Sequence, residues 1–184
     1  MRKLLIVVDM QKDFIDGSLG TAEAQAIVEP LIELVKEYKS EDIIATRDTH
    51  PENYLETREG RNLPVVHCVK DTEGWQIDSR VQQAIGDAAV VDKPTFGSCQ
   101  LADMVAAMAE QEELEITLCG LCTDICVVSN ALLLKARLPE TSIRVAANCC
   151  AGVTPESHAA ALTTMQMCQI ELFYTIKNTF GRQA

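Results

Sequence analysis

Apolar runs of strand length alternate along this chain with stretches whose apolar residues recur at helical spacing. Leu4-Leu5-Ile6-Val7-Val8 is an unbroken apolar run closed by Asp9, so residues 3–9 read as a strand buried on both faces. Ile27, Leu31, Leu34, Val35 and Tyr38 then fall on one helical face, which predicts a helix over about residues 21–39. The same reading gives strands at 42–46, 88–92, 114–118, 142–146 and 171–174, and helices at 79–85, 98–110, 124–137 and 155–167. Residues 48–76 carry Pro, Gly, Asn and many charges without any period. They read as one long loop, and loops of that length in compact domains are often functional.

Alternating strands and helices call for a parallel sheet with helices on both faces. A chain of 184 residues suits one such domain, spanning 1–184. In open sheets of this kind ligands bind beyond the carboxyl ends of the strands, at the point where the strand order reverses. The polar residues at those ends should therefore converge: Asp9, Asp48, Lys93 and the turn at 122–126.

Composition narrows the partners. A net charge of -11 excludes a protein that tracks nucleic-acid phosphates, which needs a basic face. The apolar opening is too short for a membrane span or a secretory core, so a cytoplasmic protein is expected. Eight cysteines are present: Cys68, Cys99, Cys119, Cys122, Cys126, Cys149, Cys150 and Cys168. Without an export signal these read as free thiols, mostly packed as small apolar residues. Cys119, Cys122 and Cys126 have no second Cys/His pair at zinc-ribbon or finger spacing, which argues against a zinc cluster there.

The segment Cys119-Gly120-Leu121-Cys122-Thr123-Asp124-Ile125-Cys126-Val127 joins a strand to a helix. A cysteine just inside a helix start meets unpaired N–H groups and the positive end of the helix dipole, which favours the nucleophilic thiolate. Thr123 or Asp124 is the expected cap. From Gly120 to Val127 the chain resembles the G-x-x-T-D-x-C-V signature of the isochorismatase-like cysteine hydrolases, which include the nicotinamidases. Leu4 to Phe14, Thr46-Arg47-Asp48-Thr49-His50, Val65-Val66-His67-Cys68-Val69 and Asp92-Lys93-Pro94-Thr95-Phe96-Gly97 extend the resemblance, in order and at family-like spacing.

The resemblance implies a three-layer α/β/α fold with a six-stranded, mostly parallel, Rossmann-like sheet. It implies a catalytic set of Asp9, Lys93 and Cys126. Cys126 attacks a carbonyl carbon, Asp9 takes its proton and returns it to the departing amine, and Lys93 lowers the thiol pKa by its charge. Oxyanion donors would be the N–H groups of Cys122 and Cys126, with a cis bond at Leu121–Cys122. It also implies a divalent metal on Asp48, His50 and His67, a mixed O/N set usable by Zn²⁺, Fe²⁺ or Mn²⁺. Glu59 is the first choice for a fourth ligand and Glu56 the second; His158 reads as a surface residue. Phe14, Phe96, Trp75 and Leu121 are the expected pocket walls; simple packing is the alternative for each aromatic, and an equal one for Trp75.

The expected substrate is a small amide, with nicotinamide first, and the protein is expected to be a homo-oligomer, dimer or tetramer. The stretches 59–64 and 70–75, with Asp71 where a glycine is usual, depart from common nicotinamidase patterns. A family hydrolase acting on another amide, a carbamoyl compound or isochorismate is the alternative. A thiol-rich metal- or redox-responsive protein is a third, but it leaves Asp9 and Lys93 without a role.

Overall fold

The computed structural model describes residues 1–175; the last nine residues of the expected 1–184 domain, 176–184, lie outside it. Six strands form one sheet: β1 (Arg2–Val8), β2 (Ile43–Asp48), β3 (Ala89–Lys93), β4 (Leu114–Leu121), β5 (Ser142–Ala151) and β6 (Glu171–Phe173). Their spatial order is β3-β2-β1-β4-β5-β6, and every pairing is parallel. β1 lies at the centre, and Leu4 to Val8 are buried as the apolar run requires. The strand order reverses between β1 and β4, so their carboxyl ends form the crevice.

The first helices are α1 (Lys12–Ile15), α2 (Ala22–Ala26), α3 (Val28–Val35), α4 (Arg58–Asn62) and α5 (Ser79–Ile85). They are followed by α6 (Cys99–Ala109), α7 (Val128–Arg137) and α8 (Pro155–Met167). α3 packs on α5, and α6, α7 and α8 pack in succession, which follows from right-handed crossovers running first one way and then the other from the switch point. α8 begins where Thr154 and Ser157 cap each other and Pro155 takes the first helical position.

The helix expected over 21–39 is two helices, broken at Ile27. Pro30 has no N–H to donate to Ala26, so the ladder cannot run through. The expected loop 48–76 holds a 3₁₀ turn at Tyr54–Glu56 and then α4, capped by the Thr57 hydroxyl. An element of one turn is too short to show a period.

β4 runs three residues further than expected, and β5 continues past an irregularity to Cys149-Cys150-Ala151. At the β1–β4 seam Gly120 has φ of 118°, and a Cβ there would overlap the Val8 carbonyl. Only glycine lets the two central strands approach where the site begins.

Candidate active site

Four neighbouring strands deliver one group each. Asp9 follows β1 in a left-handed conformation (φ 47°), which short polar residues tolerate best. Asp48 and Lys93 end β2 and β3, and Cys126 sits just beyond β4. Lys93 is fully buried and its ammonium is the hub: 2.7 Å from Asp9 Oδ2, 3.4 Å from Asp48 Oδ1 and 3.4 Å from Cys126 Sγ. It also donates to the Thr95 carbonyl at 3.1 Å. The other Asp9 oxygen accepts from the Thr46 hydroxyl at 2.6 Å. Gln11 locks the strand ends together, accepting from the Asp48 N–H and donating to the Asp48 and Trp75 carbonyls.

The chain leaves β4 through a cis Leu121–Cys122 bond into a wide π-helical turn, Thr123–Val127, before α7 starts. The N–H groups of Ile125 and Val127 both donate to the Cys122 carbonyl, which opens the turn that regular helix periodicity predicted as α. Neither Thr123 nor Asp124 caps it. The Thr123 hydroxyl pairs with His158 Nδ1 at 2.8 Å, and the Asp124 carboxylate accepts from the Val153 N–H. His158 is thus half-buried against the nucleophile turn rather than a free surface residue, and burial pushes its pKa down.

Burial pushes the Cys126 thiol well up, and the Asp9 charge adds to this while Lys93 opposes it. The lysine acts in the expected direction, while burial and Asp9 work against the thiolate that a helix start would favour. Burial likewise raises the Asp9 carboxyl against the pull of Lys93. Burial also opposes the charge on Lys93, yet Asp9, Cys126 and Asp48 more than offset it and its pKa is raised. A buried thiol beside a carboxylate of raised pKa is arranged for proton transfer between them.

Asp48, His50, Glu59 and His67 each present a donor atom within 4.8 Å of the others. His50 Nε2 lies 2.9 Å from Asp48 Oδ2 and 3.7 Å from Glu59 Oε1. The second ring nitrogen of His67 is on the Val65 carbonyl at 2.8 Å, which leaves Nε2 facing Asp48. That outer contact is how metal-binding imidazoles are oriented. Two imidazoles and two carboxylates fit a divalent transition ion. Burial opposes the Asp48 charge, but His50, His67 and Lys93 hold its carboxyl well below the usual range. Tyr54, fully buried, lies against both histidine rings with centroids 4.7 and 4.9 Å away, and its hydroxyl donates to the Leu63 carbonyl. Among the described residues no other cluster of three or more such side chains has this spacing, so Cys119, Cys122 and Cys126 form no metal set.

Both centres open into one cavity of about 230 Å³ with Phe14, Phe96, Leu121, Cys122 and Cys126 in its walls and Asp48, Glu59 and His67 at one end. Trp75 does not line it. Residues 74–77 turn back onto the chain after β1, where the backbone N–H of Asp13 donates to the Gly74 carbonyl and that of Lys12 to the Gln76 carbonyl. This points the indole at Thr49, to which it donates at 2.8 Å, with the Arg47 guanidinium 3.6 Å over the ring. Glu56 is outside the donor cluster and accepts from Asn53. Gln11, Thr46, Tyr54 and Asn130 support the site without having stood out in the sequence. Buried polar residues inside apolar runs, such as Thr46 and Asn130, were the available signal.

The isochorismatase domain model matches residues 3–175, and the chain belongs to that family. An uncharacterized isochorismatase family protein, PncA of Bacillus subtilis (strain 168), is 28% identical over 174 residues, covering 89% of this chain and 93% of its own. The nicotinamidase of Schizosaccharomyces pombe is 28% identical over 203 residues, 91% of each chain. Among solved structures, the pyrazinamidase of Pyrococcus horikoshii in complex with zinc superposes with a TM-score of 0.75 at 26% identity, over 95% of this chain and all of that one.

Proposed function

We propose that this chain is a nicotinamidase, a cysteine amidohydrolase that converts nicotinamide to nicotinic acid and ammonia. The observation that carries the reading is the Lys93 ammonium, buried in contact with Asp9 and with the sulfur of Cys126, which lines a cavity that Asp48, Glu59 and His67 of the two-imidazole, two-carboxylate cluster also line. Asp9 takes the Cys126 proton as sulfur attacks the amide carbon. The backbone N–H groups of Cys122 and Cys126 stabilise the developing oxyanion. Asp9 then gives its proton to the amide nitrogen, the C–N bond breaks and ammonia leaves a thioester. Water, deprotonated by Asp9, attacks the thioester, and the acid departs as the thiol is restored.

Lys93 holds Asp9 and Cys126 in register and stays charged throughout. Phe14 and Phe96 offer faces to a planar ring, and the apolar walls keep bulk water from the thioester. Asp48, His50, His67 and Glu59 would hold a divalent ion, with zinc first and iron or manganese as alternatives. When bound, it supplies a Lewis-acid position that orients the substrate ring.

We extend the reading to a cytoplasmic enzyme of pyridine nucleotide metabolism, assembled as a dimer or tetramer. Analytical ultracentrifugation checks the assembly. No helix among the described residues is long and apolar enough to cross a membrane. The deciding experiment is ammonia release from nicotinamide, pyrazinamide, benzamide and a carbamoyl compound. Nicotinamide should be hydrolysed fastest. Turnover of the carbamoyl compound alone would transfer the protein to another branch of the family.

A further inference from the structure

Asn130 is an unexpected residue for its position. It lies in the first turn of α7 and is 1% exposed. Asparagine is a poor helix former, and a buried amide is unfavourable unless its hydrogen bonds are made. A leucine of similar size would satisfy the packing. The amide makes three bonds instead. Nδ2 donates to the Cys126 carbonyl at 2.7 Å and to the Phe96 carbonyl at 3.1 Å, and Oδ1 accepts from the Ser98 N–H at 2.9 Å. Two carbonyls and one N–H allow a single orientation of the amide, and both of its protons are used.

The three partners belong to two separate parts of the site. Cys126 is the nucleophile. Phe96 is a wall of the cavity, on the loop that follows Lys93, and Lys93 holds that loop a second time through the Thr95 carbonyl. Four residues after Cys126 on the same helical face, the side chain points back over the nucleophile turn. We propose that Asn130 is a positioning residue that ties the Cys126 turn to the Phe96 loop and so sets the gap in which the substrate ring is held against the sulfur. The proposal rests on the amidohydrolase reading above. Asn130 touches no reacting atom; it acts through the backbone of residues that do.

The test uses full-length protein and two variants. Asn130→Leu keeps the volume and removes all three bonds, and Asn130→Asp keeps only the bond from Ser98. Val35→Ala, buried in α3 away from the site, is a control for lost stability. For nicotinamide, kcat per folded molecule should fall by about 10- to 100-fold in both Asn130 variants, the scale of a small misplacement of reacting groups. It should hold in Val35→Ala. Alkylation of Cys126 by iodoacetamide, which needs no ring wall, should change far less. Hydrogen exchange should show the Ser98 amide, the one that donates to Asn130, protected in the wild type and exchanging several-fold faster in Asn130→Leu.

Unchanged kcat in the Asn130 variants overturns the proposal, as does a parallel loss in Val35→Ala. If neither variant folds, exchange in the wild type decides: a Ser98 amide at the unprotected rate refutes the tie. A wild type inactive on nicotinamide would instead overturn the proposed function, with the exchange comparison still judging the tie itself.

Discussion

Replacing Lys93 with methionine should destabilise the fold far more than an ordinary surface charge change, and the structure gives the scale. The ammonium meets Asp9, Asp48, the Thr95 carbonyl and the Cys126 sulfur, and none of the lysine side chain is exposed. Methionine fills nearly the same space but leaves two buried carboxylates facing each other without their cation. Breaking a buried pair from one side costs about 3–5 kcal/mol. At about 2–4 °C per kcal/mol for a chain of this size, the melting temperature should fall by about 6–20 °C.

Asp9→Asn/Lys93→Met removes both charges and should recover at least about 2 kcal/mol relative to the sum of the single changes. The assay is urea unfolding at pH 7 in the presence of EDTA, so that metal does not differ between variants. The Lys93 pKa is raised in the fold. Its contribution is therefore complete below the ordinary lysine value and lost only as pH rises through the folded one, so pH 7 reads it in full. The Asp9 carboxyl is already raised and rises further without the lysine. The deficit of Lys93→Met relative to wild type should therefore shrink between pH 8 and pH 5. A single variant within about 1 kcal/mol of wild type, or a cycle additive within about 0.5 kcal/mol, would refute the hub.

Cys126→Ala should abolish ammonia release while circular dichroism stays native, because little volume is lost; residual turnover would remove Cys126 as nucleophile. Asp9→Asn should lower kcat by about 100-fold or more, the range for loss of a general base, and a fall under tenfold would assign the proton to another group. Elemental analysis should find one divalent ion per chain in the wild type and little in His50→Ala or His67→Ala. Full metal occupancy in both variants would show that the ion is held elsewhere.

The strand ends were legible because a buried parallel strand is a run of apolar residues and its end is the first polar one. Asp9 closes such a run, and Lys93 follows another, Ala88 to Val91, one residue past its first polar position, Asp92. The catalytic role of Cys126 and the ligand roles of Asp48, His50 and His67 came with the family resemblance; Cys126, Asp48 and His67 line one cavity, and His50 joins the donor cluster beside it. What periodicity could not show were features set by single bonds. Pro30 breaks a helix that its neighbours' spacing extends. Thr57 starts the short helix that carries Glu59. Trp75 reads like a pocket wall until Thr49 and Arg47 claim its ring. The upward push on the Cys126 thiol comes from burial and from Asp9, a residue 117 positions away in the chain.

Gly120 has a consequence for anyone wishing to make this enzyme hardier. Exchanging glycine for alanine is a standard stabilising change, since it narrows the unfolded ensemble and asks little of the native one. At Gly120 the sign reverses. The backbone occupies a region that alanine rarely adopts, and the added methyl would meet the carbonyl of Val8, one residue before Asp9. The strands would have to part where the base and the nucleophile turn are launched. A heat-tolerant version of this protein must therefore keep its least strand-favouring residue in the middle of its sheet, and find its gains among the outer helices.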